Sequence, residues 1–428
     1  MKNRWYKVVF LVAAVVVLAV VLRTCGFGGN LTNSEPAEQI DAELTLQTVT
    51  LEQPDEDGNL MWRIKAETVN YIPDTEKAEL LNLEGEFFQS GEVVYTVIAD
   101  EGEVRQNGET LFLRGNLVAT GDALILEGER LKWQPKDDLL VMGDFSDDES
   151  VNDSFVEEGG ADDGDAADAA DVFGREPFLE DDDQLDADNP PVKGFNDQLE
   201  AIARRVTVQN KDNRVDLSGG VIAKSKEAPW VSFESDALTW FTQREVIQTD
   251  QPLKVEQFDG EAYETVTDRL VGMSGKAQLE EKQVTLEDSV QLDALTQPLT
   301  VNSERAVWDL EAELITLDRP VDIVQPERRV SAIADSARVE LATQTVYLLG
   351  NVRAVGEEND ARLAADALTW QTESQQVEAD GNVRYQQAAN PEVSMAGNRA
   401  VGNIDAGTVV VTGGETGEVV TEIVPEGF

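Results

Sequence analysis

The stretch Leu113-Arg114-Gly115-Asn116-Leu117 recurs three times further along the chain, and this repetition decides the fold. The copies at residues 217–221, 286–290 and 348–352 keep a leucine at the start, glycine or aspartate in the centre and valine at the end. A tryptophan follows each centre after 18 to 21 residues, at Trp133, Trp240, Trp308 and Trp370. Self-similarity at a near-constant spacing indicates a repeat architecture.

Apolar and polar residues alternate on either side of these stretches. Trp62, Ile64 and Ala66, for example, are separated by Arg63 and Lys65. A period of two residues indicates β-strands. We therefore interpret each copy as a tight turn between two strands, in which the central residue adopts a positive φ.

Joined in series, these strands predict an all-β fold. We expect an elongated antiparallel β-jellyroll of stacked hairpins with an apolar interior, in which the four tryptophans fill the core beneath their turns. Residues 409–424 have the pattern of an exposed edge strand. The unpaired backbone groups of such an edge predict that a partner protein adds a strand to it.

Composition excludes several classes of function. The 428-residue chain has a formal net charge of −50 and contains no histidine. Nucleic acid is excluded as a partner because its phosphates require lysine and arginine. Without histidine, the Ser-His-Asp and Cys-His catalytic arrangements cannot form, and no pair of the abundant carboxylates stands out as a glycosidase pair. We predict a protein that is not an enzyme and has no cofactor and no metal site.

The first 30 residues have the pattern of a membrane anchor. Lys2, Arg4 and Lys7 precede an apolar run at residues 8–22, which as a helix is about 22 Å long. The cationic end predicts one transmembrane helix with the bulk of the chain outside the cytoplasm. A cleaved signal peptide and lipid attachment at Cys25 are the alternatives, and all three export the chain.

The composition changes abruptly between residues 144 and 188. Nineteen of these 45 residues are Asp or Glu, against one base, Arg175, which predicts a disordered acidic linker. We therefore divide the chain into an anchor (1–30), a first β domain (31–145), the linker (146–195) and a second β domain (196–428). A calcium site at residues 162–165 is an alternative reading of the linker, although the EF-hand order of ligands is missing.

An ordered series of short stretches in the first domain carries a family resemblance. The series includes residues 58–66 (Gly-Asn-Leu-Met-Trp-Arg-Ile-Lys-Ala), 99–104 (Ala-Asp-Glu-Gly-Glu-Val) and 111–118 (Leu-Phe-Leu-Arg-Gly-Asn-Leu-Val). On these residues the first domain resembles the lipopolysaccharide-export family LptC. The second half is similar, more loosely, to LptA and OstA-like repeats. A chain with two such domains and an acidic linker departs from the ordinary family pattern.

The resemblance implies a single-pass inner-membrane protein with its bulk in the periplasm. Such a protein accepts lipopolysaccharide from the inner-membrane ABC transporter subunits and passes it along a hydrophobic β-groove toward the outer membrane. Its partners are the lipid, the transporter, the inner membrane through residues 8–22, and a periplasmic bridge protein bound by β-strand addition. We predict Gly115 and Asn116 as turn and interaction residues. The predicted groove residues are Trp62, Ile64, Tyr71, Tyr95, Val97, Phe112, Leu124 and Leu126.

Two other functions fit an extracytoplasmic β-repeat protein. One is a structural or adhesive scaffold with no lipid cargo, whose interior is dry. The other is a polysaccharide-binding module, which needs exposed aromatic platforms; Trp230, beside Pro229, is the candidate for such a platform.

Overall fold

The computed structural model describes residues 44–72, 77–105, 110–145, 190–296, 298–358, 360–388, 392–413 and 420–424. These residues form 28 β-strands that pair in antiparallel fashion within one compact unit, and no α-helix occurs among them. The prediction of an all-β, antiparallel fold is confirmed.

In the first region, residues 44–145, the strands are β1 (Leu44–Pro54), β2 (Leu60–Ile72), β3 (Lys77–Gln89), β4 (Glu92–Arg105), β5 (Thr110–Thr120), β6 (Ile125–Gln134) and β7 (Leu139–Gly143). The middle region continues with β8 (Val192–Phe195), β9 (Leu199–Ala203), β10 (Arg205–Gln209), β11 (Arg214–Ser225), β12 (Val231–Phe241), β13 (Val246–Thr249), β14 (Leu253–Phe258), β15 (Val266–Gly272), β16 (Ser274–Gln278), β17 (Gln283–Ala294), β18 (Leu299–Asp309), β19 (Leu314–Leu317) and β20 (Val321–Gln325). The last region, from residue 326 onward, contains β21 (Val330–Ala334), β22 (Ser336–Glu340), β23 (Thr345–Gly356), β24 (Ala361–Gln371), β25 (Gln376–Gln387), β26 (Glu392–Asn403), β27 (Thr408–Thr412) and β28 (Val420–Val424).

Several long strands bend at one point, which we call the corner. In β5 the corner is Gly115 and Asn116, whose φ angles are +79° and +46°, and the register with β4 and β6 shifts there. Positive φ angles also occur at the equivalent pairs Gly219–Gly220, Asp288–Ser289, Gly350–Asn351 and Gly381–Asn382. The predicted positive φ is confirmed, but the predicted turn is wrong. The repeats lie inside strands, because a bulge of two left-handed residues bends a strand without ending its pairing.

Each corner carries its strand from one sheet into a second sheet. Sheet 1 contains one half of each long strand together with β7, β10, β13, β16, β19, β22 and β27. Sheet 2 contains the other halves together with β8, β9, β14, β15, β20, β21 and β28. The two sheets face each other, since Phe87 of sheet 2 stacks on Trp133 of sheet 1 with ring centroids 5.1 Å apart. Opposite the corners, the end turns of both sheets border the interior, and we call this the open side.

Alternation along the strands places apolar side chains between the two sheets. One hydrophobic cluster extends from Met61 to Trp370, and a second, smaller cluster contains Ala365, Ala379, Val383, Ala400 and Val411. Three of the four repeat tryptophans are at most 2% exposed, and Trp240 is partly buried against the same core. The predicted core role of the tryptophans is confirmed.

The two halves of the predicted domain division are joined by direct strand pairing. β6 pairs with β8 in sheet 2, and β7 pairs with β10 in sheet 1. Residues 192–195, which the sequence analysis places in the linker, form β8. Sheet hydrogen bonding therefore runs from the first region into the middle region, and the division into two domains stays a prediction.

Three predictions fall outside the described residues. They are the membrane anchor at residues 1–30, most of the acidic linker, and the alternative calcium site at residues 162–165. In the part of the chain that the structure describes, no helix has the length and apolar character needed to span a bilayer.

Candidate functional site

The space between the two sheets is the candidate site, and its first region is filled by side chains. Ile64, Phe87 and Leu126 are fully buried there, and the Phe87 ring lies within 5° of parallel to the Trp133 indole. Gly102 is so close to Leu83, Leu113 and Leu80 that an added Cβ would lie 2.7 Å from the nearest leucine carbon. Close packing of this kind leaves no volume for a further molecule around Gly102. Toward the middle region, Leu124 and Leu126 border a small cavity of about 40 Å³.

Most of the predicted groove residues lie in this packed interior. Those that belong to the main core are Trp62, Ile64, Tyr95, Val97, Leu124 and Leu126. Burial, with Asp138 and Asp122 nearby, raises the pKa of Tyr95, so its phenol is neutral at physiological pH. Whether any of these residues contacts lipid stays a prediction.

Two predicted groove residues are not part of the packed interior. Phe112 faces away from it, because its neighbours Leu111 and Leu113 point inward and successive side chains alternate. The Phe112 ring is buried instead under Arg105, whose guanidinium carbon lies 4.1 Å from the ring centroid. Tyr71, one residue before the end of β2, is 40% exposed.

A cavity of about 410 Å³ opens between the sheets in the last region. Many of the residues that line this space are alanine or glycine, so their side chains do not fill it. Larger side chains from Leu363, Trp370 and Tyr385 complete its wall. The small residues of the wall are Ala332, Ala354, Ala361, Ala379, Ala400, Ala406, Gly356, Gly402 and Gly407.

Two polar groups belong to this apolar wall. The Trp370 indole is 2% exposed, and its Nε1 finds no hydrogen-bond acceptor among the described residues. The same is true of the indole nitrogens of Trp133, Trp240 and Trp308. Burial raises the pKa of Tyr385, and its hydroxyl donates to Oε1 of Gln387 at 2.9 Å. The cavity is therefore apolar, with neutral donors on its wall.

An ion pair crosses the open side beside this cavity. Arg328 lies in the end turn between β20 and β21 of sheet 2, and Asp405 lies in the end turn between β26 and β27 of sheet 1. Nη1 of Arg328 is 2.8 Å from Oδ1 of Asp405, and both residues line the cavity. This ion pair therefore joins the two sheets across the mouth of the cavity.

The strands at the two edges of the sheets have further backbone groups available for pairing. Among the described residues, β1 pairs with β2 alone, and β27 and β28 pair with β26 alone. The edge strand predicted at residues 409–424 is thereby confirmed as two short strands, one in each sheet.

The predicted interaction residues Gly115 and Asn116 lie at the corner. Nδ2 of Asn116 donates to Oδ2 of Asp100 at 2.6 Å. The equivalent bonds join Asn351 to Asp335 and Asn382 to Asp366, each at 2.7 Å. Sequence reasoning missed these aspartates, although each follows an alanine and precedes its asparagine by 16 residues.

Trp230 belongs to an aromatic cluster at the end of sheet 2. Its ring packs edge-on against Tyr263 at 6.2 Å, and Phe258 lies 4.9 Å from the same tyrosine. The Tyr263 hydroxyl donates to the carbonyl of Ser225 at 2.5 Å. The indole is therefore partly used in local packing rather than presented as an isolated platform.

The first part of the chain is similar to a known protein family. Residues 9–140 match the family model described as lipopolysaccharide-assembly, LptC-related. This match confirms the resemblance of the first region to the LptC family.

One solved structure is similar to a shorter part of the chain. It is LptH from Pseudomonas aeruginosa, described as the LptA-homologous periplasmic component of the lipopolysaccharide transport device. The similarity covers 30% of this chain and 97% of LptH, with 12% identity and a TM-score of 0.27. No curated protein matches the chain.

Proposed function

We propose that this chain is a membrane-anchored periplasmic component of a lipopolysaccharide transport system. It accepts lipopolysaccharide from the ABC transporter subunits of the inner membrane, which residues 8–22 span, and passes the lipid toward the outer membrane. The observation that carries the proposal is the LptC-related match over residues 9–140. The remaining features support it through physical arguments.

The apolar space between the sheets suits an acyl chain. Each buried CH₂ group contributes about 0.8 kcal/mol, so a lipid tail needs continuous shelter on its way through the periplasm. The cavity of the last region offers such shelter between Leu363 and Ala400. In the first region the interior is filled, so the sheets have to separate on the open side before a tail can enter.

The edge strands suit assembly with neighbouring proteins. β1 at one edge and β27 with β28 at the other present unpaired backbone groups among the described residues. A periplasmic bridge protein with a free edge strand would extend the sheet by main-chain hydrogen bonds. Addition of a strand at either edge would also continue the apolar interior from one protein into the next.

Site-specific photo-crosslinking in living cells tests the lipid pathway. A benzophenone amino acid at Leu363, on the cavity wall, is expected to capture lipopolysaccharide. The same probe at Lys77, whose side chain is 38% exposed and whose ammonium pairs with Glu103, is the matched surface control. Equal capture at both positions would contradict a lipid pathway through the interior.

Probes at the predicted groove residues extend the same experiment. Capture at Ile64 and Leu124 would place the lipid in the first region, whereas capture at Leu363 alone would confine it to the last. Depletion of the protein is expected to leave lipopolysaccharide in the inner membrane. Normal delivery after depletion would refute the transport role.

A dry structural scaffold is the second candidate function. The observation that favours it is the close packing of the first region, where Gly102 and its leucine neighbours leave no space. A scaffold predicts no lipid capture at any interior position and no co-purification with the transporter subunits.

A further inference from the structure

The mouth of the cavity carries one cation among its described lining residues. Arg328 lies there with two carboxylates, Glu358 and Asp405. The whole chain carries a net charge of −50, so its field repels anions. Among the described lining residues, Arg328 is therefore the side chain that can attract an anionic molecule to this cavity.

The existing partner of Arg328 holds it weakly. Both side chains are 45% exposed, and Nη1 of Arg328 is 2.8 Å from Oδ1 of Asp405. Exposed ion pairs of this kind contribute little to stability, because water and salt screen the charges. A guanidinium has five N–H donors, and even a bidentate carboxylate takes only two of them.

Arg328 lies next to the apolar wall of the cavity. The arginine precedes β21, whose residues Val330 and Ala332 line the cavity together with Ala354 of the neighbouring strand. A molecule with its tail among these residues would present its polar end at the mouth. Arginine is suited to phosphate because its planar fork matches two phosphate oxygens.

We propose that Arg328 is the headgroup ligand of this cavity and that Asp405 occupies it in the absence of ligand. The ligand class is an amphiphile with an alkyl tail and a phosphate headgroup. The phosphate takes the guanidinium from Asp405 as the tail enters, so that the ion pair across the open side is exchanged for one with the ligand. This inference rests on the proposed function, in which the cavity holds a lipid tail.

Two photoreactive lipids with the same diazirine-labelled tail test the inference. One is a lysophosphatidic acid, and the other is the monoacylglycerol that lacks only the phosphate. The full chain is held in amphipol, irradiated with each lipid, and the adducts on the cavity-lining peptides are quantified by mass spectrometry. Labelling by the neutral lipid reports on the cavity, and the ratio of the two lipids reports on Arg328.

Three variants separate headgroup binding from a simple latch. Arg328→Gln is expected to abolish the preference for the phosphate lipid, which in the wild type is up to about fivefold for a half-exposed contact. Asp405→Asn is expected to increase that preference, because it frees the guanidinium. If the ion pair served only to hold the two sheets together, both variants would change lipid labelling equally, since each breaks the same ion pair. Arg338→Gln, which removes an exposed arginine paired with Glu340 on sheet 1, is the control and should leave the ratio unchanged.

The outcomes for the two proposals are distinct. If neither lipid labels the cavity in any variant, the lipid-binding interior of the proposed function is refuted. If both lipids label it equally and Arg328→Gln changes nothing, the headgroup role is refuted while the lipid interior stands. A fall in phosphate-lipid labelling on Asp405→Asn would also overturn the headgroup role. Thermal unfolding close to the wild type excludes misfolding as the cause.

Discussion

The first and last regions of the molecule share one backbone design and differ in what lies between the sheets. Their corners are alike: φ is +79° at both Gly115 and Gly350, and the adjacent asparagines bond to aspartates at 2.6 and 2.7 Å. The interior of the first region is filled by large side chains such as Phe87, whereas alanines leave about 410 Å³ in the last. The same backbone corner therefore accompanies a filled interior in one region and a cavity in the other, and side-chain volume decides between them.

The largest effect is expected from removal of a large side chain in the filled region. Phe87→Ala should lower the free energy of unfolding by about 3–5 kcal/mol, because the ring is fully buried and stacked on Trp133. Leu363→Ala on the cavity wall should cost less than about 2 kcal/mol, since part of that side chain already borders open space. Urea unfolding measures both losses. Equal losses would contradict the contrast between the two interiors.

Replacing a buried alanine by leucine should destabilise the first region and leave the stability of the last region unchanged. Ala119→Leu should destabilise the protein by about 1–3 kcal/mol, since Ala119 is fully buried in a packed core. Ala400→Leu should leave the melting temperature unchanged, because the added carbon atoms enter the cavity. It should also reduce labelling of the cavity by the photoreactive lipids. A large destabilisation by Ala400→Leu would show that the cavity is not available space.

The corners should respond alike in both regions. Asn116→Ala and Asn351→Ala should each cost about 1–2 kcal/mol, because alanine is strained at positive φ and the bond to Asp100 or Asp335 is lost. The glycine variants Asn116→Gly and Asn351→Gly remove only the bond and should cost less. Unequal costs for the two alanine variants, measured by denaturant unfolding, would mean that the corners are not equivalent.

The smallest effect is expected from an ion cluster on the outer face of the first region. Arg105, and after it Lys77, lowers the pKa of Glu103 from 4.5 to about 2. The folded pKa lies below the unfolded one, so the stabilisation is present above pH 4.5 and is lost as the pH falls toward 2. Solvent screening limits it to about 1 kcal/mol.

Glu103→Gln is therefore expected to lower stability slightly at pH 7, and the difference from the wild type should vanish near pH 2. Glu92→Gln, an exposed residue at the start of β4, serves as the control. Melting temperatures recorded between pH 2 and 7 check this. A difference that persists at pH 2 would show that the carboxylate acts through packing rather than charge.

The repeat pattern predicted more than the fold class. The spacing of the glycines and tryptophans correctly indicated positive φ at Gly115 and Gly350 and a buried position for Trp133. The prediction that these repeats are turns was wrong, because a local pattern of leucine, glycine and asparagine suits a reversing turn and a strand bulge equally. The pairing partners on both sides, which lie far away in the chain, decide between the two.

The candidate site was less accessible to sequence reasoning. Apolar residues at alternate positions predicted Ile64 and Leu126 as inward-facing, which is where they lie. Phe112 was assigned to the same face, yet it lies between two inward-facing leucines. The cavity of the last region was not predicted, since alanines alternate along a strand in the same way whether they face a filled core or an empty space. The ion pair of Arg328 with Asp405 joins residues 77 positions apart, which no local pattern links.

Local sequence patterns were enough to establish an all-β protein whose repeats contain residues of positive φ. Period-two alternation and positive-φ residues are local properties of the chain, so they can be read without knowledge of distant contacts. Three-dimensional packing determines which interior is filled, which is open, and which charges meet at the cavity mouth. Those outcomes depend on the volume left between two facing sheets and on side chains brought together from different strands.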